Sequence, residues 1–372
     1  IITIFYFYLI WDDLSIAEIV DPYELEWITF CKTWMRYVNQ YPDVLSADNH
    51  AVERAVSGPG VDFTIFNESD PNKIPQEVWS GCDAMVTGLA MPIDEKVLAK
   101  LDKCKIIARL GVGYDLIDIM AAGARRIAVC NVPDYGTNEV ADHAIALLLS
   151  FVRGIPQYTE AYRTDPDKGW DYKITPAMTR MTGKCFGVIG LGRIGTAAAM
   201  RAKAFGMTVC AFDPFVPHGQ ELALSIDRED DLDGLLGKAD FISIHCPATE
   251  RTHHLIGDRA VSKMKPGVIL VNTARGPICD LTALYKGLKS GQVGATALDV
   301  FDPEPPNADH PLLRAWRSRE AWLEGRFIAT PHAAWYSPTS AQILREKALQ
   351  TCLIYLRDAT LRNCVNREYL ET

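Results

Sequence analysis

Three side chains of different chemistry stand just past three consecutive apolar runs in the last hundred residues: Arg275 in "VNTARGP", Glu304 in "DVFDPEPP" and His332 in "ATPHAAWYSP". An arginine can hold a planar carboxylate by two hydrogen bonds and polarise the carbonyl beside it. A histidine can give a proton to an alkoxide as it forms and take it back in the reverse direction. A glutamate next to that histidine favours the imidazolium and orients the ring. The set suits hydride transfer to and from a 2-oxo acid, with the histidine moving the proton. Singly, each residue has a plainer reading as a surface arginine, a solvated carboxylate or a turn histidine. Their shared placement at strand ends is what argues for chemistry.

Hydride transfer needs a carrier, and "GVIGLGRIG" supplies its loop. Gly190, Gly192 and Gly195 form G-x-G-x-x-G after an apolar strand and before the helical stretch "RIGTAAAMRAKAFG". Glycines there permit a tight turn, close approach of a pyrophosphate to the backbone, and packing of helix on strand, while the helix start offers N–H groups. Asp213 ends the next apolar run, "TVCAFDP", where a carboxylate accepts hydrogen bonds from ribose hydroxyls. A 2′-phosphate would be repelled there, and Pro214 and Phe215 offer it no cation. The cofactor expected is NAD.

The elements that must position these residues follow from the apolar pattern. Between 183 and 332 the runs "CFGVIG", "TVCAFD", "DFISIHC", "GVILVNT", "ATALDV" and "RFIATPH" alternate with helical stretches, as in a doubly wound parallel sheet of six strands. Strands "VDFTIF", "DAMVTG", "KIIARLG" and "IAVCN" announce a second α/β domain before it. "TNEVADHAIALLLSFVRG" places Val140, Ala144, Leu147, Leu148 and Phe151 at helical spacing, with Thr137 or Asn138 to cap it and Gly154 to end it. "SAQILREKALQTCLIYLRD" reads as an amphipathic helix that returns to the first domain. We therefore expect two doubly wound α/β domains, Rossmann-like or flavodoxin-like, with the active site in the cleft between them. The substrate-binding domain is expected in residues 1–136 plus 336–372, and the NAD-binding domain in 137–335.

A chain of 372 residues with 48% hydrophobic and 23% charged residues has the make-up of a globular protein of two domains. A net charge of -9 disfavours nucleic acid and anionic membranes as partners. The ten cysteines form no C-x-x-C pair, which points to reduced thiols in the cytoplasm and to no metal site. "IITIFYFYLI" reaches Asp12 and Asp13 too soon for a membrane helix and has no signal-peptide flanks. It reads as a buried strand.

"VIGLGRIG", "AFDP", "VNTARG", "ALDVFDPEP" and "TPHAAWYS" occur in the order in which they occur in the D-isomer-specific 2-hydroxyacid dehydrogenases, and residues 80 to 372 resemble that family. The resemblance implies that Arg275, Glu304 and His332 are the catalytic set. It adds Arg193, Ile194, Cys246, Pro247, Thr273, Ala274 and Asp299 to the cofactor contacts. "RLGVGYDLID" matches the family's loop that binds the substrate carboxylate through backbone N–H groups, here Gly111, Val112 and Gly113. "VCNVP", "HHLI", "PHAAWYS" and "RNCVN" are also similar to the C-terminal-binding-protein branch, which implies Arg109 and Trp335 at the substrate pocket. A homodimer through the cofactor domains is a further implication. The competing function is an NAD(H)-sensing, corepressor-like scaffold with weak dehydrogenase activity. Phosphite, phosphoglycerate and formate oxidation are less favoured. Residues 306–326, "PNADHPLLRAWRSREAWLEGR", are longer than that branch leads us to expect.

Overall fold

A computed structural model of the chain describes residues 33–38, 51–58, 61–66, 70–88, 91–167 and 169–370. The strand expected within residues 1–10 lies outside these. The described residues fall into two compact units. One holds the residues up to Ala108 with Ile119–Cys130 and Ala348–Thr372, and the other holds Arg109–Asp118 and Asn131–Lys347.

The first unit is built on five strands in the order β2-β1-β3-β4-β5, with β1 at Thr33–Val38, β2 at Val61–Phe66, β3 at Ala84–Thr87, β4 at Ile106–Arg109 and β5 at Ala128–Cys130. This is the flavodoxin-like order. Strand β1, "TWMRYV", pairs parallel with both β2 and β3. It is not among the expected strands, because Arg36 interrupts its short apolar run. The unit closes with Asn366, whose side chain accepts from Val129 N–H at 2.8 Å and donates to the carbonyls of Ile127 and Ile119.

The second unit carries a sheet of seven parallel strands, β12-β11-β10-β9-β6-β7-β8. Six are the expected ones: β6 Cys185–Ile189, β7 Thr208–Phe212, β9 Phe241–Ile244, β10 Val268–Asn272, β11 Val293–Leu298 and β12 Phe327–Ala329. The seventh, β8 at Asp227–Arg228, is a two-residue edge strand. Two charged residues give no apolar run to read, and the strand exists because β7 offers an unpaired edge.

Alternate residues of β6 point to opposite faces. Phe186 and Val188 join a core with Ala141, Ala144 and Leu148 of the helix Thr137–Arg153 and Ala198, Ala199 and Ala202 of the helix Arg193–Ala204. Cys185 and Ile189 face the other core, with Leu235, Leu236, Leu284 and Leu288. The helix at 137–153 buries the five residues expected of it and ends at Gly154 with φ +63°. Its start differs: Gly136 is the cap and makes no side-chain bond, while Asn138 accepts from Arg201.

The 306–326 segment is an extension of the core. His310 caps a helix at Pro311–Arg317 through Nδ1, Leu312, Leu313, Ala315 and Leu323 are buried, and Trp316 meets Phe327 edge-on at 5.4 Å.

Candidate active site

Because every strand of the second sheet runs the same way, every strand's C-terminal end lies on one edge. The chain leaves β6 towards β7 and β8, then crosses back to β9 on the other side of β6. That reversal is where a crevice opens in sheets of this kind. The glycine loop follows β6, Asp213 follows β7, Cys246 follows β9, Arg275 follows β10, Asp299 follows β11 and His332 follows β12.

The glycine loop fits a dinucleotide on two counts. Gly190 has φ +93° and lies so close to β9 that a Cβ would sit 2.6 Å from the Cys246 nitrogen. Gly195 packs on the Gly190 carbonyl. Gly192 differs, since no described residue lies within 4 Å of where its Cβ would be and its backbone is ordinary extended. No packing within the protein demands a glycine there, which leaves close approach of another molecule to the start of the Arg193–Ala204 helix. Arg193 and Ile194 form that helix's first turn. Asp213 is held at the loop, one oxygen accepting from Leu191 N–H at 2.8 Å and the other from Phe215 N–H at 2.9 Å.

Thr273 supplies the second fit: its hydroxyl is buried with no hydrogen-bond partner, a state that costs free energy until a group arrives to bond it. Asn272, fully buried, shapes this turn by accepting from Ala274 N–H and donating to the Arg275 carbonyl. Near the glycine loop, burial lowers His245 to about 4, so it is neutral, and its Nε2 lies 2.8 Å from the Ser243 hydroxyl. Burial pushes the Cys246 thiol up to about 11. The Pro247 carbonyl accepts from Thr252.

His332 and Glu304 meet as a pair. Nδ1 of His332 lies 2.8 Å from one carboxylate oxygen of Glu304, and the other oxygen accepts from Phe301 N–H at 2.9 Å. Burial works to raise the Glu304 carboxyl, but the bond to His332, that ring's charge and the Phe301 N–H outweigh it, so its pKa is lowered. The His332 backbone has φ +53°, a left-handed conformation costly for a non-glycine residue. Asp299 holds it there: its carbonyl accepts from His332 N–H, and its buried carboxylate accepts from Thr330 Oγ1, Ala333 N–H and Ala334 N–H. His143 stands beside this knot, with Nε2 3.2 Å from the Thr330 hydroxyl.

Arg275 is fixed by a residue that the sequence reading passed over. Its Nε donates to Asp115 at 3.0 Å and its Nη1 to the Ala274 carbonyl at 2.7 Å. Burial would raise the Asp115 carboxyl, yet the Arg275 charge and hydrogen bond hold it below the ordinary range. A Cβ on Gly113 would collide with the Arg275 guanidinium, and one on Gly111 with that of Arg109. These glycines thus make room for two arginine heads. The Arg109 head also donates to the Leu110 carbonyl. Of the three N–H groups expected to meet a substrate carboxylate, that of Gly111 already donates to the Arg109 carbonyl at 3.0 Å. Val112 and Gly113 carry no such bond. Gly276 has no room for a Cβ against the Phe301 backbone, which draws the Glu304 loop alongside Arg275. Trp335 is half-buried, edge-on to Tyr135 at 6.0 Å and to Tyr336 at 5.6 Å.

Among the described residues no group of three or more His, Cys, Asp or Glu is placed to hold a metal ion. Likewise, no described helix is long and apolar enough to cross a membrane.

Residues 145–334 match the family model described as D-isomer specific 2-hydroxyacid dehydrogenase, NAD binding domain. The chain is 42% identical over 250 residues to a D-3-phosphoglycerate dehydrogenase of Methanocaldococcus jannaschii, a match covering 67% of this chain and 45% of that longer protein. It is 37% identical over 309 residues to a glyoxylate reductase of Korarchaeum cryptofilum, covering 82% of this chain and 89% of the relative. Its fold is similar to that of a D-lactate dehydrogenase from Aquifex aeolicus complexed with NAD and lactic acid, with 26% identity, a TM-score of 0.73, and coverage of 90% of this chain and 97% of that one.

Proposed function

The chain belongs to the D-isomer-specific 2-hydroxyacid dehydrogenases, and from that premise we propose that it is an NAD-dependent oxidoreductase interconverting a D-2-hydroxy acid and its 2-oxo acid. The observation that carries this reading is the His332–Glu304 pair at 2.8 Å beside an Arg275 held by its Nε. The glycine loop 190–195, Asp213 and Thr273 would hold the cofactor, which when bound would supply hydride (as NADH) or accept it (as NAD+) at C2 of the substrate. The chain's own residues do the rest. Glu304 accepts a hydrogen bond from Nδ1–H of His332, so Nε2 is the atom that gives a proton to the forming alkoxide and takes one in the oxidative direction. With Arg275 Nε on Asp115 and Nη1 on Ala274, the Nη2 edge is left to polarise the carbonyl or hold the carboxylate. Asp213 disfavours a 2′-phosphate at the ribose.

The substrate is chosen among short 2-oxo acids. The phosphoglycerate dehydrogenase relative returns a phosphorylated substrate to that group, although the sequence reading had set it aside. The glyoxylate reductase speaks for a small unphosphorylated one. We test the reading by NADH oxidation with glyoxylate, hydroxypyruvate, pyruvate and 3-phosphohydroxypyruvate. One of these should turn over, and His332→Ala should lower kcat by about 10²- to 10⁴-fold with the NADH Kd changed little. Full activity in that variant would remove His332 from the chemistry.

The assembly we propose is a homodimer through the cofactor unit. Trp170 and Tyr172 are 81% and 77% exposed, and Ile155 and Tyr162 are open nearby, a cluster of large apolar groups that water does not favour. None of the nine described cysteines is joined in a disulfide, which supports a reducing, cytoplasmic setting.

A further inference from the structure

Strand β5 ends on Cys130, and directly across from it, in a single antiparallel bridge, lies Cys364. The flanking bond runs from Val365 N–H to the Val129 carbonyl at 2.8 Å. This makes Cys130 and Cys364 a non-hydrogen-bonded pair, the type whose Cα atoms approach to about 4.5 Å and whose side chains lie closest. That separation falls at the short end of the roughly 4.4–6.8 Å that a disulfide spans. Cys130 is fully buried and Cys364 is half-buried, so an oxidant reaches the pair from one side only.

The chemistry of the two sulfurs is unequal in the useful direction. The Cys364 thiol donates to Asn366 Oδ1 at 3.4 Å, and the neighbouring Cys130 thiol, the Asn366 N–H and the Arg367 charge lower it to about 6 despite burial. Cys130, as donor in a buried position, is pushed up. Cys364 is therefore the sulfur that meets an oxidant as thiolate.

We propose that Cys130 and Cys364 are a redox modification site, forming a reversible intramolecular disulfide when the protein meets a peroxide. The Cys364 thiolate attacks the peroxide oxygen, the O–O bond breaks, hydroxide leaves and Cys364 becomes a sulfenic acid. The Cys130 sulfur then displaces hydroxide from it. The S–S bond forms, both thiol protons end in water, and two electrons pass from the sulfurs to the peroxide. A second pair, Cys185 and Cys210 with sulfurs 3.4 Å apart, is buried within the sheet and shielded. Cys82, Cys104 and Cys352 are buried too. The bond would join two segments of the first unit, Ile119–Cys130 and Ala348–Thr372, which are separated in sequence by most of the second.

The full chain, treated with a few equivalents of hydrogen peroxide and digested without reductant, should yield one linked peptide pair containing Cys130 and Cys364, two hydrogens lighter than the free peptides. Dithiothreitol should release it. Amide exchange at Val365 should slow in the oxidised protein and stay unchanged in peroxide-treated Cys364→Ser, a substitution at the half-buried position that leaves Cys130 and its packing in place. Stable sulfinic acid at Cys364 with no linked pair, linkage to another cysteine, or a Cys364 that peroxide leaves untouched would each overturn the proposal.

Discussion

His332 and Arg275 are held in their orientations by different means. His332 sits in a left-handed backbone that costs about 1 kcal/mol or more, and the turn is kept by four hydrogen bonds to one buried aspartate, Asp299. Arg275 has an extended backbone and a long, rotatable side chain, so its head must be pinned at the far end. Asp115 does this from a loop 160 residues away in sequence. Burial works against its charge, but the guanidinium holds its pKa below the ordinary carboxylate range. Asp115→Asn keeps the shape and removes the charge. We expect kcat/KM for the 2-oxo acid to fall by about 10- to 100-fold, the cost of a slightly misplaced binding group, with the NADH Kd unaltered and most of the loss in KM. Wild-type kcat/KM in the folded variant, or an equal loss of NADH affinity, would deny Asp115 this positioning role.

At the scale of elements, the readable parts were those whose signal is local. Six strands of the second sheet are continuous apolar runs because they are buried on both faces, and the glycine loop is written in consecutive residues. Asp115 could not be found this way, because its meaning lies in Arg275. Gly111 was assigned an N–H for the substrate, but its N–H serves the tight turn after β4, and its missing Cβ makes space for Arg109. The charged segment before β12 was equally opaque. Its arginines look solvated in sequence, yet Arg326 donates to the carbonyls of Gly294, Trp322, Leu288 and Val293, at 2.7 to 2.9 Å. It therefore ties the helix Leu281–Ser290, β11 and the 306–326 extension together. Arg326→Leu leaves several half-buried carbonyls without donors at about 1–3 kcal/mol each before relaxation. A stability loss of roughly 2–4 kcal/mol should appear in the denaturant midpoint, with the NADH Kd within a few fold of wild type. A midpoint shift below about 0.5 kcal/mol, the range of an ordinary surface substitution, would mean that water replaces the guanidinium without cost.

For the molecule as a whole, the two units are unequal partners in folding. The second is formed by 109–118 and one long stretch, 131–347, whereas the first is assembled from three segments joined only through it. The residues proposed to hold the dinucleotide, the glycine loop, Asp213 and Thr273, all lie in the second. A ligand that binds only the folded form stabilises it by about 2.7 kcal/mol at 100 times its Kd. That free energy is expected to enter where the ligand sits, so local openings of the second unit should become rarer while those of the first change little. Hydrogen exchange followed by peptide should therefore show NADH protection concentrated in β6, β9, β10 and the turn after β11. The β3 and β4 strands at Ala84–Thr87 and Ile106–Arg109 should stay near their rates without NADH. Equal protection in both sets would show that the units open as one cooperative body. Protection confined to the first would move the cofactor out of the glycine loop altogether.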